Sequence, residues 1–300
     1  MIDKRLLAYL RRLELESRSR LTGLFSGRYR SVFRGQGIEM ADLREYIPGD
    51  DIKAIHWKVT ARTGTPHVKL FEEERELEMM IVVDVSGSQS FGSKRNTKTA
   101  TAAEAAAFLA LAAGFNNDRA GLVLFSETIE HFVPARRGRN HALRLARDIL
   151  EQRSGRRATD LDRAIRFTDR IMKKRGMVFL ISDFLDEGYE RALSRLCGRH
   201  DVTALVVLDP RECALPDAGV VLLEDAETGG ILEVETGSEE IRESFATAAR
   251  KRKRDLEVQL RGIGADVVFL STDRLCYPEL VAFFNRRAVR SRRRERSRIR

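Results

Sequence analysis

An α/β fold built on a doubly wound, mostly parallel sheet is what this sequence predicts, and three observations predict it. The run Met79 to Val83 is continuously apolar and gives way to Asp84-Val85-Ser86-Gly87-Ser88. A strand covered on both faces reads in this way, and a second run, Met177 to Ser182, does the same before Asp183. Around these runs, short apolar segments alternate with segments of helical period, as successive βα units require. With 300 residues, 43% hydrophobic and 33% charged, the chain can bury one large core, and disorder is not its default state.

Taken in order, the chain divides into four expected segments. Residues 1–34 form a basic amphipathic helical segment: Leu6, Leu7, Leu10 and Leu13 share one face, with Lys4, Arg5, Arg11 and Arg12 around it. Residues 35–76 form an accessory segment in which Pro48-Gly49 signals a turn, Pro presetting the first central angle and Gly accepting positive φ at the second. That turn presents Asp50 and Asp51 close to Arg44, Lys53 and Arg62, which reads as an ion-pair network fixing the segment. Residues 77–275 form the α/β domain. Its expected strands are 79–83, 120–125, 129–133, 177–182, 202–208 and 266–270, with extended pieces near 220–223 and 231–235. The expected helices are 99–115, 141–151, 160–174, 189–197 and 239–261. Residues 276–300 start a helix at Pro278 that docks through Leu280, Val281, Phe283 and Phe284, then run into nine arginines expected to stay solvated and fray.

The net charge of +9 belongs to the ends. Residues 1–34 hold nine Lys and Arg against three acids, and residues 286–300 hold nine Arg against one, so the middle of the chain is mildly acidic. Nucleic-acid binding by the whole protein is therefore not indicated; the tail by itself suits an acidic partner, an anionic membrane surface or RNA. The three cysteines, Cys197, Cys213 and Cys276, are scattered and make no Cys-x-x-Cys pair, so neither a zinc site nor a disulfide framework is indicated. No apolar run approaches the ~20 residues that span a bilayer, and the start lacks a signal-peptide core. A cytoplasmic protein, with peripheral membrane association through its basic ends as an option, is the expectation.

The chemistry concentrates where the two apolar runs end. Asp84, Ser86 and Ser88 supply hard oxygen donors of low total charge at a strand's carboxyl end, where ligands of doubly wound sheets sit. Thr159 lies in a polar loop that opens an amphipathic helix, and Asp183 follows the second buried strand. Asp-x-Ser-x-Ser, a Thr entering a helix and an Asp after the next buried strand, in this order, resemble the metal-ion-dependent adhesion site of von Willebrand factor A domains. The resemblance implies a Rossmann-type, von Willebrand A-like domain whose Mg²⁺ or Mn²⁺ is held by Asp84, Ser86, Ser88, Thr159 and Asp183.

A second set of residues widens the match to most of the chain: Gly35, Gly37, Glu39, Arg44, Tyr46, Gly49, Asp50, Asp51, Trp57, Ala61 and Arg62, then Phe91-Gly92, Lys98, Asp118-Arg119, Gly121, Thr159-Asp160-Leu161, Ser182-Asp183-Phe184 and Asp209-Pro210-Arg211-Glu212. They resemble the signature of the bacterial domain-of-unknown-function family numbered fifty-eight, which carries a von Willebrand A-like domain. Gln89 departs from it, since Met commonly follows the second Ser, and no presumed ligand is lost. The resemblance implies a non-catalytic interaction module, an adaptor working with a MoxR-type AAA+ ATPase and other von Willebrand A proteins in a chaperone-like or assembly system. The alternative is a metal-dependent phosphatase or hydrolase at the same strand ends. It is weakened by Ser86 standing where Asp-x-Asp chemistry needs a general acid, and by the lack of a Gly-x-Ser-x-Gly motif with a partnered His. If the ligands sit at strand ends outside the core, Asp84→Ala or Asp183→Ala should remove metal and leave the fold.

Overall fold

The computed structural model describes residues 38–73, 78–93, 95–151, 158–224 and 229–298. The basic segment 1–34, with Gly35 and Gly37, lies outside them. Six strands form the central sheet: β3 (Glu78–Asp84), β4 (Arg119–Phe125), β5 (Ile129–Arg136), β6 (Met177–Ser182), β7 (Asp201–Leu208) and β10 (Asp266–Ser271), in the order β10-β7-β6-β3-β4-β5. All pairs are parallel except β4–β5. The antiparallel β5 is an edge strand, which is where a strand can carry Pro134, since proline cannot donate to a ladder.

The continuous apolar character of β3 has the cause the sequence suggested. Met79, Ile81 and Val83 enter one core, and Met80 and Val82 enter the other. On the first face pack α2 (Lys98–Phe115), α3 (Arg139–Glu151) and the start of α8 (Tyr277–Arg298); on the second pack α4 (Leu161–Ile171), α5 (Glu190–Arg199) and part of α7 (Glu239–Ile263). Helix α2 is alanine-rich because it is enclosed on every side. Ala102 through Ala113 are all buried, and small side chains let the sheet and neighbouring helices approach it closely.

The chain order fixes where the sheet reverses. From β3 the chain builds outward to β4 and β5, then returns across to β6 on the other side of β3 and continues to β7 and β10. The gap beyond the carboxyl ends of β3 and β6 is therefore the topological switch point, the place where a doubly wound sheet leaves room for a ligand.

Three features differ from the expectations. The accessory segment contains a two-stranded antiparallel sheet, β1 (Ile38–Glu45) with β2 (His67–Glu73), and a helix α1 (Trp57–Thr63) with no buried residue. Both strands are half polar, and the alternation of β1 is broken by a bulge between Met40 and Asp42, so their sequence did not mark them. The extended pieces 220–223 and 231–235 become β8 (Val220–Glu224) and β9 (Ile231–Glu235), which pair only with each other and leave Val220, Leu222, Ile231 and Leu232 exposed. The arginine tail does not fray early: α8 continues to Arg298, as arginine's good helix propensity allows.

The Pro48-Gly49 turn forms as read. Gly49 has φ 111°, and the Asp50 N–H donates to the Ile47 carbonyl at 3.1 Å. Of the expected ion pairs, Arg44 and Asp50 make a bidentate one at 2.8 and 2.6 Å. Arg62 is exposed on α1. Among the described residues, no helix is long and apolar enough to cross a membrane.

Candidate functional site

Asp84 ends β3 with its carboxylate 1% exposed. One oxygen accepts from the Ser86 backbone N–H at 2.9 Å, and the other accepts from the Ser182 hydroxyl at 2.6 Å and, at 3.5 Å, from the Gln89 amide. Ser182 is the last residue of β6, so this bond joins the ends of the two central strands. The chain turns sharply after Asp84 into a short 3-10 segment, Gly87–Ser90, which aims the Ser86 and Ser88 hydroxyls at each other, oxygen to oxygen 3.2 Å. Burial pushes the Asp84 carboxyl up to about 6, and the negative charge of Asp183 pushes the same way. The site thus holds two mutually unfavourable carboxylates in a place with little water.

Asp183 follows β6 and is also buried. One of its oxygens accepts from the Leu185 N–H at 3.3 Å, and the other accepts from the Lys98 ammonium at 2.7 Å. Phe184, between them, adopts a left-handed φ of 56°, which is uncommon for an aromatic residue. That geometry turns the Phe184 ring into the core and leaves Leu185 62% exposed at the rim. Phe91, 44% exposed, lies on the loop that follows Ser88.

Thr159 comes to the same edge through backbone anchors on the two residues that follow it. The Asp160 N–H donates to the carbonyl of Ser126, just past the end of β4, and the Leu161 N–H donates to Asp186 at 2.8 Å. Asp160 itself caps α4, accepting from the Arg163 N–H at 2.8 Å. Thr159 sits half-buried just before these anchors. All five residues singled out in the sequence are therefore at the carboxyl edge of the sheet, Asp84, Ser86, Ser88 and Asp183 around its switch point.

The sequence reading gave no role to the residues that hold this edge together. Lys98, the first residue of α2, is 1% exposed and donates to both Asp183 and Glu212, each at 2.7 Å. Burial alone would lower its affinity for a proton, but the carboxylates of Asp183 and Glu212 more than offset this and keep it an ammonium ion. A cation opening a helix opposes the helix dipole, and that misplacement was the one local sign in the sequence that Lys98 answers to something else. Glu212 also accepts from the Asp209 N–H at 2.9 Å, completing a capping box on the short helix α6 (Pro210–Cys213). Fully buried Asp209 accepts in turn from the hydroxyls of Ser93 and Thr272, both at 2.5 Å. Gly92 precedes Ser93 because the loop folds tightly there: a Cβ on it would lie 2.4 Å from the Asn96 carbonyl oxygen. The signature stretches Phe91-Gly92, Lys98, Ser182-Asp183-Phe184 and Asp209 to Glu212 thus meet in one network.

Residues 42–255 match a family model described as "Protein of unknown function DUF58". The chain belongs to the DUF58 family. It is 38% identical over 284 residues to "Uncharacterized protein Rv1480" of Mycobacterium tuberculosis, covering 94% of this chain and 89% of that protein. It is 41% identical over 166 residues to "Uncharacterized protein MAV169" of Mycobacterium avium, covering 54% of this chain and 94% of that one. Among solved structures, this DUF58 chain is similar to BatB from Bacteroides thetaiotaomicron, with a TM-score of 0.46, 15% identity, and 72% of this chain and 99% of that one covered. It is also similar to the SpRpn10 VWA domain, with a TM-score of 0.36, 12% identity, and 68% of this chain and 93% of that one covered.

The donor set of the DUF58 site can be weighed for a cation. Two oxygens adjacent on an octahedron with bonds of about 2.1 Å, as Mg²⁺ demands, lie about 3.0 Å apart, close to the 3.2 Å between Ser86 and Ser88 Oγ. Gln89 Oε1 is buried beside Asp84 and has no hydrogen-bond partner among the described residues, and an unsatisfied acceptor there is what an ion or its water would explain. Among the described residues no three His, Cys, Asp or Glu side chains converge as ligands, so a cation here would depend on hydroxyl oxygens for the rest of its shell. The histidines act locally: His56 caps α1, His141 contacts the Ala120 carbonyl at 2.9 Å, and buried His200 accepts from the Gly176 N–H at 3.3 Å.

Proposed function

We propose that this protein is a divalent-cation-dependent protein interaction module. The carrying observation is the convergence of Asp84, Ser86, Ser88 and Asp183 at the switch point, with two hydroxyl oxygens at octahedral spacing and a buried acceptor beside them. Asp84, Ser86, Ser88, Thr159 and Asp183 would hold Mg²⁺ or Mn²⁺. The ion supplies an open position for a carboxylate offered by a partner. This chain's residues hold the hydroxyls in place through the Gly87–Ser90 turn, and exposed Leu185 and Phe91 give the partner's acidic group an apolar surround. An interaction role also fits a site whose Ser86 hydroxyl is hydrogen-bonded to no histidine or lysine among the described residues, since a serine nucleophile needs such a base. The resemblance to the family's von Willebrand A-like domain supports assigning the partner as a MoxR-type AAA+ ATPase.

The test is calorimetric. Purified protein titrated with Mn²⁺ should bind one equivalent, and Asp84→Ala should bind none. A pull-down against the MoxR-type ATPase of the same host should then succeed with Mg²⁺ and fail with chelator. Wild type that takes up no cation sinks the reading.

A further inference from the structure

The charges joined by contacts at the site do not balance. Asp84, Asp183 and Glu212 are three carboxylates, and among the described residues Lys98 is the one cation bonded to them. Lys98 is not a surface side chain that wandered in. Its whole stem is buried, it opens a helix at the end that disfavours positive charge, and its ammonium ties three elements together: α2, the end of β6 and α6. A buried ion pair recovers its desolvation only when partners are well placed, and here both bonds are short. Asp183, one of the five residues that the proposed function assigns to the cation, therefore already has a cation of its own.

We infer that Lys98 is the site's built-in counter-cation, a positioning residue that holds Asp183 and Glu212 whether or not a divalent ion is bound, and so sets how tightly that ion is held. The inference rests on the cation reading above and deepens it. With Lys98 in place, Asp183 is shared with an ammonium ion. The divalent ion must then rely on hydroxyls and on Asp84, which leaves it weakly neutralised and receptive to a partner's carboxylate. Without Lys98, Asp183 and Glu212 lose their bonded cation, and the demand for a divalent ion rises. Removing a positive charge should thus tighten metal binding, whereas removing a mere structural prop should weaken it or leave it unchanged.

The experiment measures Mn²⁺ binding to the full chain by electron paramagnetic resonance of free Mn²⁺, alongside thermal melts in chelator and in saturating Mn²⁺. Wild type, Lys98→Met, Lys98→Arg and Asp84→Ala are compared. Lys98→Met should bind Mn²⁺ at least tenfold more tightly than wild type, about 1.4 kcal/mol. It should also melt lower in chelator and recover more on adding Mn²⁺. Lys98→Arg, which keeps the charge, should bind as wild type does. If Lys98→Met does not fold in chelator, Lys98→Met with Glu212→Gln removes one carboxylate together with the ammonium and carries the same binding measurement. Equal or weaker Mn²⁺ binding by the Met variant, with wild-type binding that Asp84→Ala abolishes, overturns the Lys98 inference alone. No binding by wild type overturns the cation reading itself.

Discussion

Replacing Asp84 by Asn should make the metal-free protein more stable at pH 8, at the very position where the proposed function is lost. The Asp84 carboxyl is raised to about 6 in the folded protein, because burial and the charge of Asp183 both disfavour its ionised form. Its unfolded value is about 3.9. Between these values the folded state holds a proton that the unfolded state has released, so stability falls as pH rises through the window from about 4 to 6 and then levels off. At about 1.4 kcal/mol per pH unit, ionised Asp84 costs the metal-free fold about 3 kcal/mol at pH 8. Asn is close in shape to the protonated acid and can still accept from the Ser86 N–H and meet the rotatable Ser182 hydroxyl. In chelator, Asp84→Asn should therefore exceed wild type by about 2–3 kcal/mol at pH 8, some 3–5 °C in melting temperature for a chain of this length, and match it near pH 4. Adding Mn²⁺ at a hundred times its Kd should raise wild type by about 2.7 kcal/mol and leave the variant where it was. Urea melts at the two pH values, with and without Mn²⁺, give all four numbers. An Asn variant no more stable than wild type at pH 8 in chelator refutes the reasoning.

Other outcomes follow from particular contacts. Asp183→Ala should cost stability, although its strand-end position suggested an intact fold, because it takes one of the two carboxylates from the buried Lys98 ammonium and leaves Glu212 alone; a loss of about 1.5–3 kcal/mol is expected in a denaturant melt, and Asp183→Asn should lose less. A truncation meant to remove only the basic tail must start after Arg287, which bonds Asp201 and pairs with Asp266 at 3.3 Å, at the amino ends of β7 and β10. Deleting 288–300 should keep the wild-type melt and Mn²⁺ uptake while reducing salt-sensitive binding to anionic vesicles; deleting 286–300 should lower the melting temperature. Asn117 has φ 59°, so Asn117→Gly should gain a few tenths to 1 kcal/mol in the same melt.

The sequence by itself determined the layered fold. Strands β3 and β6 were legible because a strand buried on both faces must be apolar at every position, and their ends were legible because Asp84 and Asp183 break that rule at once. The order of Asp84, Ser86, Ser88, Thr159 and Asp183 along the chain was also enough to place them on one edge, since parallel strands joined by crossovers present all their carboxyl ends together. What only the tertiary structure decided is the electrostatic state of that edge. Lys98 lies 85 residues from Asp183 and 114 from Glu212, and no local pattern reports a pairing of that range. Ser182, likewise, read as the last residue of a buried strand until folding set its hydroxyl against Asp84, 98 residues away. The β1–β2 pair escaped notice for a related reason: half-polar strands interrupted by a bulge are fixed by the partner they find, not by a period of their own. Periodicity reports which face of an element is buried. It does not report which charge meets which, because a buried ion pair depends on two distant side chains arriving in the same place.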